Sequence, residues 1–306
     1  MRVKKKQFVS GALQHTYKIT RKAEILFYRL EDRLMMFTIM SVVSRKRRII
    51  VAGLCFMFTH IHETLFPVDK VQMDAYEMDC VSIYSKEHNR DTGHKDGIFS
   101  PYGWASKRTE KDQKSSTVYL LNNPSEKKLC HHAIEDRWNF LAYYNNPNPF
   151  SKPLVKHKAS YYLREACSIV DHEFSAGRYL KAARIRGMYA KLRNPEEREQ
   201  LTDYIINRYM FIDFESSIRL FGSYENLLAA TQATTGAEFD IGEAFDKYSD
   251  VPYKSLISMA EKDGLLGKEM RIYQLSDSEK SLYYKKYSRL NGITDKHLRV
   301  FLRMMK

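Results

Sequence analysis

The sequence predicts an α+β domain followed by an all-helical one, and three observations carry that prediction. Over the first half, short β-branched apolar runs alternate with stretches of helical periodicity. Three of the eight prolines then fall between Asn145 and Pro153, a linker signature. Beyond them the patterning is helical only. The expected division is residues 1–145, a linker at 146–158 and a helical region at 159–306.

Taken in order, Gly11–Thr20 reads as a strand. Asp32–Ser44 reads as a helix, because Met35, Met36, Ile39, Met40 and Val43 recur at the spacing of a buried helical stripe. Arg48–Met57 is almost purely apolar and too short for a core helix, so it suits a central strand buried on both faces. A further strand begins at about Thr59, and Asp69–Glu87 reads as a second helix. Asn89–Asp96 is a polar loop, Ile98–Ser106 a weaker strand, and Lys111–Asn123 a helix that Pro124 should stop. Past the linker, helices are expected at Ser160–His172, Ala176–Leu192, from Asn194-Pro195 onward, at Tyr224–Thr235, at Tyr253–Lys262 and at Ser278–Leu290.

The chain carries 50 basic and 37 acidic residues, a net charge of +13. Residues 1–48 hold 13 Lys/Arg against 3 Asp/Glu, so +10 of that excess lies there. Such a balance points to a polyanionic partner, nucleic acid or an anionic membrane face. Spanning a membrane takes roughly 18 apolar residues. The runs Leu34–Ser44 and Ile49–His62 fall short of that and are separated by Arg45-Lys46-Arg47-Arg48. Polar residues follow Lys4-Lys5-Lys6, so no secretory signal is expected. Cys55, Cys80, Cys130 and Cys167 match neither a zinc spacing nor a small disulfide framework. They read as reduced thiols of a cytoplasmic, nucleoid-associated protein.

The chemistry centres on Met57-Phe58-Thr59-His60-Ile61-His62. On a strand His60 and His62 project to one side, roughly 6.5–7 Å apart, so that two imidazoles converge on one divalent ion. Downstream stands Tyr119-Leu120-Leu121-Asn122-Asn123-Pro124, followed by Trp138. Tyr119 and Asn123 share a helix face at four-residue spacing. A phenol and an amide facing two histidines make a phosphodiester site: the ion polarises the phosphate and Tyr119 attacks it. A phenol with a pKa near 10 needs such activation.

This order of elements and motifs resembles the REP-associated tyrosine transposases, a branch of the HUH single-tyrosine endonucleases. Met57–His62 corresponds to that family's Met-Pro-Asn-His-Val-His, Tyr119–Pro124 to its Tyr-Ile-x-x-Asn-Pro, and Trp138 to the Trp of its Trp-x-x-Ser-Ser box. The resemblance spans roughly residues 8–145. It implies a ferredoxin-like antiparallel sheet carrying the histidines, with flanking helices and the nucleophile on the helix that follows. It also implies Mg²⁺ or Mn²⁺ held by His60, His62 and Asn123, with Tyr119 as nucleophile. Single-stranded or hairpin DNA would be nicked and rejoined through a 5′-phosphotyrosine, with a homodimer as one arrangement. The sequence departs from the family at Phe58-Thr59, at Ser125-Glu126-Lys127-Lys128 and at Asn139-Phe140-Leu141. These changes bear on which DNA is read and remove no catalytic group.

Several basic stretches are candidate DNA contacts. Arg45, Lys46, Arg47 and Arg48 suit phosphates and also complement a helix C-terminus. Tyr102, Trp104, Lys107 and Arg108 interleave aromatic and basic groups for stacking and phosphate contact. Lys111 and Lys114 lie on the tyrosine helix, whereas His131 and His132 read as helix-surface residues. Residues 278–305 read as a helix-turn-helix. Its last helix, capped by Thr294, has Leu298, Phe301, Leu302 and Met305 on one side and Lys296, Arg299 and Arg303 on the other. The rival readings are a catalytically silent DNA-binding regulator and a replication-initiator or relaxase-type nuclease.

Overall fold

The computed structural model describes residues 7–22, 24–233, 249–267 and 269–305. It is an α+β structure built on a four-stranded antiparallel sheet. The first elements run β1 (Leu13–Ile19), α1 (Leu30–Arg47), β2 (Ile50–Phe56), β3 (His60–Phe66), α2 (Lys70–Thr92), β4 (Gly103–Lys107) and α3 (Glu110–Glu126). The strands lie in the order β2-β3-β1-β4.

Local chemistry sets the ends of these elements. Asp69 caps α2 by accepting from the Gln72 amide, and a Thr109–Asp112 capping box opens α3. Arg48 ends α1 in the left-handed region at φ 53°. Pro124 does not stop α3, contrary to expectation. It sits inside the helix, which runs to Glu126. The proline costs the helix one amide donor, and the turn is closed beyond it, where the amides of Lys127, Lys128 and Leu129 donate to the carbonyls of Asn123, Ser125 and Pro124.

Helices α1 and α2 cover one face of the sheet, where Phe37, Met36, Tyr76 and Tyr84 are buried. Lys18 of β1 is fully buried on this face. It pairs with Glu63 and lies 2.6 Å from Glu77, and Tyr76 donates to Glu63 at 2.7 Å. Helix α3 covers the opposite face, with Leu120 and Leu121 against Cys55 and Met57. Gly53 permits that approach: a Cβ there would stand 2.7 Å from Thr64 Oγ1 and 3.5 Å from a Leu120 methyl.

The second half is helical: α4 (Tyr161–Ser175), α5 (Ala182–Lys191), α6 (Pro195–Arg208), α7 (Phe214–Phe221), α8 (Tyr224–Ala233), α9 (Val251–Lys262), α10 (Asp277–Tyr287) and α11 (Asp295–Phe301). Part of the expected Tyr224–Thr235 helix lies outside the described residues. Helix α5 starts six residues later than expected, after a left-handed Gly177. The eight-residue α7 was not anticipated. It closes the outer edge of β2, where the Asp213 amide donates to the Val51 carbonyl at 2.8 Å and Ser217 to that of Ala52 at 2.7 Å.

Residues 145–158 hold no regular element but are bonded to α6. Phe150 N and Ser151 Oγ both donate to Asp203 Oδ2. Helices α4–α6 share one apolar core with α1 and α2. Helices α9–α11 form a second core that encloses Tyr28 and Phe58. Among the described residues no helix is long and apolar enough to cross a membrane.

Candidate active site

The register of three strands decides what faces α3. His60 pairs with Ile19, His62 with Tyr17 and with Cys55, and Thr64 with His15. Directly opposed residues on antiparallel strands point to the same side. His60, His62, His15, Tyr17 and Cys55 therefore share the face that α3 covers, and Ile61 between the histidines is fully buried on the other. The turn before His60 is tied at both ends. Met57 N donates to the His60 carbonyl at 2.9 Å, and Leu26 N and Phe27 N both donate to the Phe58 carbonyl. The Phe58-Thr59 departure is thus accommodated, with the Phe58 ring in the second core.

Four aromatic side chains surround His62, with Tyr17 the farthest at 6.4 Å. The His62 ring centroid lies 4.8 Å from His60, 5.5 Å from Tyr119 and 5.2 Å from His15. Tyr119 is 8% exposed and also lies 5.9 Å from the His15 ring. The histidine of β1 was not singled out from the sequence. Its Nε2 is 3.0 Å from His62 Nδ1 and its Nδ1 is 2.7 Å from Ser116 Oγ, one turn before Tyr119 on α3. The available signal was its position two residues before Tyr17 on a predicted strand, which puts both on one face. Which face, and beside what, needed the register.

Burial, and to a lesser degree the Lys18 charge, pulls His62 down to about 3. His15 is also held well below its ordinary value by burial, the His62 charge and the Lys107 charge. Both imidazoles are therefore neutral at pH 7, the form in which histidine binds a cation. Asn123 is buried on the Tyr119 side of α3, and its Nδ2 donates to the Tyr119 carbonyl at 2.9 Å. Among the described residues no group of three His, Cys, Asp or Glu side chains is arranged to hold a metal.

The predicted DNA contacts divide by face and by end. Lys107 points to the His15 face and Arg108 beside it is exposed. Tyr102 and Trp104 do not point there. Trp104 pairs with Thr16 on the α2 face, and Lys70 of α2 stacks over both rings, at 5.7 and 5.2 Å. Tyr102 also donates to Asp74 of α2. Arg45–Arg48 stand where β2 begins, whereas His60 lies beside its far end, about 20 Å along seven residues. There Arg47 pairs with Asp79 at 2.6 Å and Arg45 stacks on Phe174 at 4.2 Å. On α3, Lys111 is exposed and Lys114 pairs with Glu110 at 2.6 Å.

At the C-terminus Leu298, Phe301 and Leu302 are buried as expected, and Lys296 and Arg299 are exposed. Arg299 is bonded to Asp295 at 2.8 Å. Arg303 departs from the predicted stripe. The helix ends at Phe301, Arg303 is left-handed at φ 57°, and its guanidinium pairs with Glu24 at 2.5 Å over the Tyr273 ring.

No protein-family model matches the chain, and no curated protein matches it. Its structure is similar to that of a REP-associated tyrosine transposase bound to a REP hairpin, with a TM-score of 0.38 and 14% identity. The match covers 52% of this chain and 97% of that one.

Proposed function

We propose that this chain is a single-tyrosine DNA strand transferase of the transposase type, which nicks and rejoins single-stranded DNA at hairpins. The observation that carries the reading is the closure of Tyr119 onto His62, with His60 and His15 alongside, on one face of the sheet. Supporting it, the order β-α-β-β-α-β with strands β2-β3-β1-β4 is that of a ferredoxin-like sheet.

His60, His62 and Asn123 would hold Mg²⁺ or Mn²⁺, which supplies Lewis-acid polarisation of the scissile phosphate. Tyr119 Oη forms a bond to phosphorus as the bond from phosphorus to the 3′-oxygen breaks. The phenolic proton is accounted for on the departing 3′-hydroxyl, and the 5′-phosphate stays on Tyr119 as a diester. Rejoining is the reverse with a new 3′-hydroxyl. His62 uses Nδ1 toward His15, so Nε2 is the nitrogen that would face the cation. In that tautomer His62 Nδ1–H donates to His15 Nε2, and His15 Nδ1–H donates to Ser116 Oγ. Lys107 and Arg108 flank the site for backbone phosphates, and the helical region at 159–306 supplies further DNA or partner contacts.

Covalent trapping tests the reading. Wild type and Tyr119→Phe are incubated with labelled hairpin pools and Mn²⁺, then separated under denaturing conditions. A shifted band in the wild type alone, lost with His60→Ala plus His62→Ala, is the expected result. Binding without any adduct would instead make the chain a silent DNA-binding protein.

A further inference from the structure

Arg33, on the first turn of α1, has no ion pair or hydrogen bond among the described residues, and its Nε is buried without a partner. Its neighbours differ. Arg29 is paired with Asp32 and Asp91, and Arg137 with Glu199. Arg33 is instead surrounded by rings: its guanidinium carbon lies 4.7 Å from the Phe58 centroid, 5.1 Å from Trp138 and 5.8 Å from Phe27. Asp136 and Asp32 lie near enough to act on its charge without bonding it, and the aromatic faces offset a further part of the loss on leaving water. With Nε unsatisfied and no ion pair holding the group, the guanidinium is available to a ligand.

The guanidinium lines a cavity of about 320 Å³, together with Phe56, Phe58, Trp138, Asp136 and Lys254. The Phe56 and Trp138 rings are near-parallel, 17° apart at 6.3 Å. The charges around the cavity balance, with Arg33, Arg137 and Lys254 against Glu135, Asp136 and Glu199. A free phosphate would find no net attraction there. A flat neutral group that stacks on rings and accepts from a guanidinium fits better. The cavity lies at the His60 end of the sheet but on its other face, since Phe56 pairs with Ile61; from Phe58 the chain reaches His60 in two residues, at most about 7 Å.

We propose that this cavity takes one unstacked nucleobase of the single strand as the strand passes round the His60 end of the sheet, and that guanine fits it best. Guanine offers two adjacent acceptors, O6 and N7, to a single guanidinium, and its two fused rings stack over a larger area than the single ring of cytosine, which offers O2 and N3. The proposal rests on the reading of the chain as a single-strand DNA enzyme.

The chain has two tryptophans, so Trp104→Phe leaves Trp138 as the sole reporter. This protein is titrated with short oligothymidylates carrying one guanine, adenine or cytosine, reading Trp138 fluorescence. Anisotropy of a labelled DNA hairpin is followed separately. The expected result is saturable quenching with a preference of roughly tenfold for the guanine strand, abolished by Arg33→Met. Arg33→Lys keeps the charge without the fork, and should retain quenching while losing the preference. Equal quenching by all strands, or a guanine preference that survives Arg33→Met, overturns the pocket and leaves the DNA reading standing. Absence of hairpin binding by anisotropy overturns both.

Discussion

His15 Nε2 lies 3.0 Å from His62 Nδ1, linking β1 to the motif histidine of β3. With Ser116 at its other nitrogen, His15 ties the tyrosine helix to the same imidazole. A partner that fixes the ring and tautomer of a metal-binding histidine typically carries 10–100-fold in metal affinity. His15→Phe should therefore weaken Mn²⁺ binding by about that factor, read by calorimetry without DNA, and should reduce adduct formation in parallel. Unchanged Mn²⁺ affinity would make His15 a packing residue only.

Lys18, Glu63 and Glu77 form a fully buried charge cluster behind the site. Removing one member of a buried pair leaves an uncompensated charge, at a cost of about 3–5 kcal/mol. Lys18→Met should lower stability by that order in a urea titration. Lys18→Met with Glu63→Gln and Glu77→Gln should recover most of the loss, because the stranded carboxylates go with it.

Gly53 decides how closely α3 lies on the sheet, because a Cβ would reach Thr64 and then Leu120, the neighbour of Tyr119. Overpacking of this kind costs about 1–3 kcal/mol. Gly53→Ala should reduce stability within that range and lower adduct yield more than DNA affinity. Equal losses of yield and affinity would argue against a displaced Tyr119.

His88 gives the stability a pH dependence. It is 2% exposed, its Nε2 meets the Tyr273 hydroxyl at 3.1 Å, and burial pulls its pKa down to about 4 from 6.5. Between these values the unfolded chain binds more protons than the folded one, so stability rises with pH through that window and is lost on acidification. The contribution at neutral pH is on the order of 3 kcal/mol. Burial raises Glu126 from 4.5 to about 7, which works in the opposite sense over a similar range. Comparing wild type with His88→Gln isolates the histidine: the variant should lose less stability between pH 6.5 and 4. Parallel profiles for the two proteins would refute the assignment.

The existence of four strands and the first three helices is legible because their signals are local. Their ends are less so: α2 continues through Thr92 into the expected Asn89–Asp96 loop, and β4 begins at Gly103, five residues after Ile98. The apolar run before His60, the two histidines at strand spacing and the Tyr119–Asn123 pair at helical spacing each lie within one element. Even Pro124 was misread only as to where α3 stops. Helix α7 carried too few residues to announce itself, and its place is set by an edge strand far away in sequence.

The sequence by itself determined the alternation of elements and which side chains share a face within each one. Tertiary structure alone decided which faces meet. His15 joins His62 across 47 positions because antiparallel register aligns β1 with β3. The same register turns Trp104 toward α2, although it stands beside Ala105 on the site face. Arg45–Arg48 fall at the wrong end of β2 to reach the histidines, and Arg303 is drawn to Glu24 once the last helix stops. Periodicity along one segment constrains that segment's own surface. Register and packing between segments depend on partners that no local pattern names.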